Sequence, residues 1–277
     1  MKLDHLFKHA NRLPVLPKVL QDLLVSFNDD TLRADLLARQ IEHDPVINAR
    51  LLRLANSAGY QMPQTISTAH QAVQQLGMVN VRSLVISIGL SGCLSSLPPA
   101  LIQPYWRHSL HTATAARYWA SGVQIDAELS YTLGLLHGIG QLVLRTVYPD
   151  AMLRLDQQTG PFAPGRRAAE REEFGYDHAD VGAGLACHWQ LPPLFAIVIA
   201  GAMATSDTSD AARLTALVQV ATWQSWVSDQ LFNEDQIETT WPASLALQVG
   251  LDRSVCGQHF PPWAQLCAGL EDCLIFT

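Results

Sequence analysis

Asp44-Pro45-Val46-Ile47-Asn48-Ala49-Arg50-Leu51-Leu52-Arg53-Leu54-Ala55-Asn56 reads as a helix with its start written out. An aspartate caps it, and a proline follows where the first turn has no use for its missing N–H. The same punctuation recurs on both sides. Pro17 opens a helix over 18–27 with Val19, Leu20, Leu23 and Leu24 on one face; Asn28-Asp29-Asp30 is a turn, and Thr31 caps a helix to about His43. Gly59 to Pro63 breaks the pattern. Ser67 or Thr68 caps the next helix, Gly77 stands where a C′ glycine belongs, and an apolar helix runs from about Asn80 to Leu94.

Ser95-Ser96-Leu97-Pro98-Pro99 is the expected junction between two lobes, because paired prolines disfavour helix continuation. Beyond it, helices are expected over 103–120, 127–137, 141–148, 166–174, 178–189, 193–203, 210–228, 243–249 and 262–274. Gly175 ends one and Asp177 caps the next, while Thr205 to Asp210 is a loop. No strand-like alternation and no internal repeat interrupts this pattern. The fold class is all-α, a two-lobed helical bundle with lobes at 1–97 and 98–277, expected to pack together.

The 277 residues fit one large domain or two modest ones. Charged residues are 16% and apolar residues 48%, which excludes disorder for the bulk of the chain. A net charge of −7 argues against nucleic-acid binding through general charge attraction. The uncharged stretches 83–106 and 181–206 are cut by Pro98-Pro99 and by His188, Gln190 and Pro192-Pro193, so no membrane span is expected. Five cysteines form no C-x-x-C pair, and the first ten residues contain no continuous apolar run. A cytoplasmic location is the expectation.

Several residues invite chemistry. His108, His111, His137 and His178 lie on or beside helices of the second lobe, where histidines can converge on a metal; no H-x-x-x-H pair fixes two ligands on one turn. Thr68 to Ile88 has a helix-turn-helix layout, but Val81 to Ile88 carries one arginine and otherwise belongs in a core. Arg50, Arg53 and Asn56 share a helix face and either pair locally or form a groove for a partner protein or an anion. Arg166 to Glu173 reads as a solvated mixed-charge face with an Arg166–Glu170 pair. Trp223, Trp226, Trp241 and Trp263 either fill a core or form an aromatic binding patch.

Seven segments in order carry a resemblance: 13–17 (LPVLP), 43–45 (HDP), 50–58 (RLLRLANSA), 72–77 (AVQQLG), 105–109 (YWRHS), 135–140 (LLHGIG) and 174–182 (FGYDHADVG). Together they resemble the HDOD (HD-related output domain) family over about residues 10–230. That family is related to HD-type metal phosphohydrolases, which bind divalent metals with a first His, a His-Asp pair and a later Asp. By position these are His108, His137 with Gly138, and Thr222, so both carboxylates are lost; a further His-His has no match in 197–201. His178 belongs to the same relic pocket.

The resemblance implies a non-catalytic output or adaptor domain of bacterial signal transduction. Its partners would be signalling proteins of a two-component or cyclic-dinucleotide circuit, with no cofactor, metal, nucleic acid or membrane expected and self-association left open. Two alternatives stand beside it. One is a divergent HD-type phosphohydrolase acting on a nucleotide or phosphodiester. The other is a DNA-binding regulator using the helix-turn-helix-like segment.

Overall fold

The computed structural model describes residues 3–8, 13–25, 34–57, 60, 64–93, 97–202, 207–230, 232–253, 260–267 and 270. Outside them lie the Asn28–Asp30 turn, the Thr31 cap, most of the Gly59–Pro63 break, the Ser95-Ser96 part of the junction and the start of the Thr205–Asp210 loop. The described residues are helices and connecting turns, with no strand among them. None of these helices is long and apolar enough to cross a membrane. The chain divides into two compact units: Val15–Leu110 with Pro261–Thr277, and Met1–Pro14 with His111–Phe260.

Within the first unit, α2 (Lys18–Val25), α3 (Ala34–Glu42), α4 (Pro45–Ala55) and α5 (Ala69–Leu76) surround α6 (Met78–Cys93). Their starts follow the expected chemistry. Asp44 accepts hydrogen bonds from the N–H groups of Val46 and Ile47, and Thr68 accepts from that of Gln71. The helix α6 is apolar on nearly every side and buries Val81, Leu84, Val85, Ile86, Ile88 and Leu90. Each such side chain is worth roughly 1.5–3 kcal/mol removed from water. Arg82 donates to Leu23 O at 2.7 Å rather than standing on a reading face.

The second unit takes α1 (Leu3–Lys8), α8 (Ala127–Leu136), α9 (Ile139–Val147), α10 (Pro149–Gln158), α11 (Arg166–Phe174), α12 (His178–His188), α13 (Pro193–Ala200), α14 (Asp210–Ser228), α15 (Glu234–Thr240) and α16 (Ala243–Val249). Between them in sequence runs α7 (Pro99–Gly122), which contributes to both units. It starts four residues before the expected position and carries Pro104 inside. Three helices were not expected: α1 at the amino terminus, α10, opened by Pro149, and α15, opened by an Asn233–Gln236 capping box. Conversely α13 stops at Ala200, short of 203, because Gly201 takes a left-handed cap with φ 65°.

The contact that shapes this unit is between α9 and α12. A Cβ on Gly140 would overlap the backbone of His178 and Gly182, so the two helices touch main chain to main chain. That places the α8–α9 turn, with His137, against the start of α12, with His178.

Candidate functional site

The turn from α11 into α12 is built on one carboxylate. Gly175 ends α11 in a left-handed conformation, φ 83°. Two residues on, Asp177 accepts the N–H groups of Ala179 and Asp180 through Oδ1, while Asp180 accepts the N–H of Asp177. Its Oδ2 accepts from Arg167 Nε at 2.7 Å and from Arg171 Nε at 2.8 Å. Burial alone would raise the Asp177 carboxyl, but the Arg167 hydrogen bond and the capping N–H groups outweigh it and hold it low.

His178 is the first residue of α12 and is gripped twice by Glu170. Its backbone N–H and its Nδ1 both donate to Oε2, at 2.8 and 2.6 Å. The other oxygen of Glu170 accepts from Arg166 Nε at 2.8 Å. Arg166 continues to Asp156 and Thr159 O, and Asp156 receives Arg145 through two bonds of 2.7 and 3.0 Å. Charges thus alternate along Arg145, Asp156, Arg166 and Glu170, ending on an imidazole. Glu170 is fully buried and Arg166 is 1% exposed. The expected Arg166–Glu170 pair is present, and the expected solvated face holds at Arg171, Glu172 and Glu173 but not at the pair itself: Arg166 and Glu170, one turn apart, point inward, where only a paired charge is tolerated. Burial would raise the Glu170 carboxyl; hydrogen bonds from His178 and Arg166 prevail and hold it below its ordinary value.

His137 caps the end of α8, with Nδ1 2.6 Å from Gly134 O. A carbonyl only accepts, so Nδ1 carries the hydrogen. Burial pushes its pKa down to about 4, with the Gly134 bond opposing and His178 adding to the fall. The ring is therefore neutral near pH 7, with Nε2 its acceptor.

Both rings line one cavity of about 460 Å³ within the second unit. Arg167, Gln219, Thr222 and Thr240 supply its other polar groups; Trp223, Trp226 and Phe162 form an aromatic wall. Each of the four is already engaged at least in part: Gln219 Nε2 donates to Gly201 O, the Thr222 hydroxyl to Val218 O at 2.8 Å, the Thr240 hydroxyl to Gln236 O, and Arg167 is held by Asp177. Trp223 Nε1 donates to Thr240, and its ring stands edge-on to Trp241, 5.0 Å between centroids. Trp223 and Trp226 are thus neither deep core nor surface patch.

A divalent-metal centre of the HD kind does not fit these residues. Gly138 has no side-chain donor atom, Thr222 offers a neutral hydroxyl, and among the described residues no carboxylate lines the cavity, whereas a guanidinium does. Among the described residues, no group of three His, Cys, Asp or Glu is placed to hold a metal. His108 is buried on the part of α7 that belongs to the first unit. In that unit Arg50 is half-buried and Arg53 exposed. Asn56 closes α4: its amide donates to Leu52 O and Ile66 O and accepts from Ile66 N–H, so it staples backbone. The residues that sequence reasoning missed as part of the site are Glu170 and Arg167, and nothing in the charged run marks them.

The profile of the HDOD domain family matches residues 13–204. A curated relative, an uncharacterized protein of Treponema pallidum (strain Nichols), is 28% identical over 183 residues, covering 65% of this chain. The match takes in only 35% of that relative's length, so this chain spans about a third of it. A solved structure from Shewanella amazonensis SB2B, named "Putative phosphohydrolase", is 26% identical with a TM-score of 0.67, covering 97% of this chain and 96% of that one. Another from Marinobacter aquaeolei VT8, named "Putative signal transduction protein", is 20% identical with a TM-score of 0.73, covering 97% and 59%.

Proposed function

The chain belongs to the HDOD domain family, and on that premise we propose that it is a non-catalytic signalling module that acts by binding other proteins in a bacterial regulatory circuit. One observation carries the non-catalytic part. The cavity that holds His137 and His178 has a guanidinium and, among the described residues, no carboxylate on its walls. Metal-assisted hydrolysis needs anionic ligands to hold a hard cation and an open position for water. The signalling part rests on the family, and agrees with the name of the Marinobacter protein that shares the fold.

The rival reading is a metal phosphohydrolase, favoured by the name of the Shewanella relative. Elemental mass spectrometry on protein purified without chelator separates the two, run alongside turnover assays with phosphodiesters and nucleotides. Adaptor function predicts transition metal well below one per chain, no turnover, and no change in either on His137→Ala. Near-stoichiometric metal with turnover, both lost in His137→Ala, would overturn it. DNA binding is disfavoured by α6, whose Arg82 is tied to Leu23 O; duplex retardation that weakens with salt and on Arg82→Ala would reinstate it.

A further inference from the structure

We propose that the cavity of the second unit is a binding site for a small aromatic carboxylate. This goes beyond the adaptor reading, for it gives the module a ligand, and it concerns the same walls that fail as a metal centre.

A guanidinium sets the sign of the occupant. Arg167 is the one permanently charged side chain among the described lining residues. Its Nε is held by Asp177 Oδ2 and its Nη2 donates to Ala200 O at 3.1 Å, which leaves Nη1 for a ligand. Asp177 and Asp180 together balance Arg167 and Arg171, so the cavity carries no fixed excess charge, and the donor it offers is the guanidinium edge at Nη1. Gly201 keeps the approach open: a Cβ there would stand 3.3 Å from Nη1 and 2.9 Å from Gln219 Nε2. One guanidinium suits one negative charge; a polyanion would bring charge that nothing here answers.

Shape and polarity set the rest. A volume of about 460 Å³ falls in the range of small-molecule sites. Trp223, Trp226 and Phe162 offer aromatic faces and edges to a flat ring. His137 and His178 have their Nδ1 atoms fixed by Gly134 O and Glu170, so both rings are held in orientation before any ligand arrives. A rigid wall of this kind loses little entropy on binding.

Calorimetry on the full chain compares naphthoate with naphthamide, its uncharged isostere, and benzoate with benzamide as a smaller pair. Naphthoate is expected to bind one per chain and quench tryptophan fluorescence, with naphthamide weaker by about tenfold or more. Thr222→Asp places a negative charge on the cavity wall. It should weaken naphthoate by about tenfold or more and leave naphthamide within about twofold. If that variant fails to fold, Trp226→Leu serves, and should weaken both compounds. Equal affinity for acid and amide would overturn the proposal, as would no binding of either acid up to about 5 mM. Undiminished naphthoate affinity in a folded Thr222→Asp or Trp226→Leu would do so too. None of these results bears on metal content or turnover, so the proposal and the adaptor reading fail separately.

Discussion

The two units are both helical and solve burial in opposite ways. The unit around α6 buries no carboxylate, lysine or arginine among its described residues; aliphatic side chains, Tyr105 and Trp106 fill it, with serines and His108 among them. The unit around α12 buries Arg145, Arg166, Glu170 and Asp177. An aliphatic core gains from simple removal from water, whereas a buried ion chain stabilises only if every member keeps its partner. The first unit is therefore sensitive to lost volume, and the second to the loss of any one charge as well. It is the second that holds the cavity.

The sharpest way to break this contrast is Glu170→Ala. It leaves Arg166 Nε and His178 Nδ1 without their acceptor in a dry site and should cost about 3–5 kcal/mol in chemical denaturation; a loss below about 1 kcal/mol would show the chain to be ornamental. Leu84→Ala in α6 should cost about 2–5 kcal/mol through a cavity, with no dependence on pH between neutrality and mild acid. Gly140→Ala, which forces a methyl against the backbone of His178 and Gly182, should cost about 1–3 kcal/mol and disturb the His178 ring resonance.

Acid sharpens the comparison without mutation. His137 is held neutral with a pKa of about 4, below its ordinary 6.5, so the unfolded chain takes up its proton first. Stability should fall as pH drops from 6.5 towards about 4 and level off for this group below that; His137→Gln should flatten that stretch of the profile. Glu170 and Asp177 are shifted low, so their contribution is complete above their ordinary values and is lost at lower pH still. The smallest effect belongs to the exposed Arg154–Glu173 pair, whose side chains are 62% and 40% accessible. Arg154→Ala should change stability by less than about 0.5 kcal/mol, measured by the same denaturation.

Most of the helices could be read from the chain because their ends carry side-chain chemistry: Asp44-Pro45, Thr68, Gly77, Gly175 and Asp177 each act where their residue type implies. The misses have local causes. Pro149 follows α9 with only Tyr148 between, so one apolar pattern runs into the next, and the α15 segment buries nothing that periodicity could reveal. The site was less legible. His137 and His178 were found through resemblance, and Gly138 and Thr222 through what they lack. Glu170 and Arg167 sit in a charged run that looks the same whether it faces water or a buried partner; only three-dimensional pairing tells them apart. Trp223 and Trp226 stay between core filling and a binding patch in sequence, because nothing there separates a cavity wall from either.

Asp177 has a consequence for how the chain can vary. One side chain starts α12, anchors Arg167 at the cavity and engages Arg171. A change there alters a helix terminus, a binding wall and a surface charge in a single step. In a saturation library over residues 156–180, selected for folding, Arg171 should accept many replacements and Asp177 almost none. Glutamate should fail there too, since its extra methylene moves the carboxylate off the Ala179 and Asp180 N–H groups that it now caps.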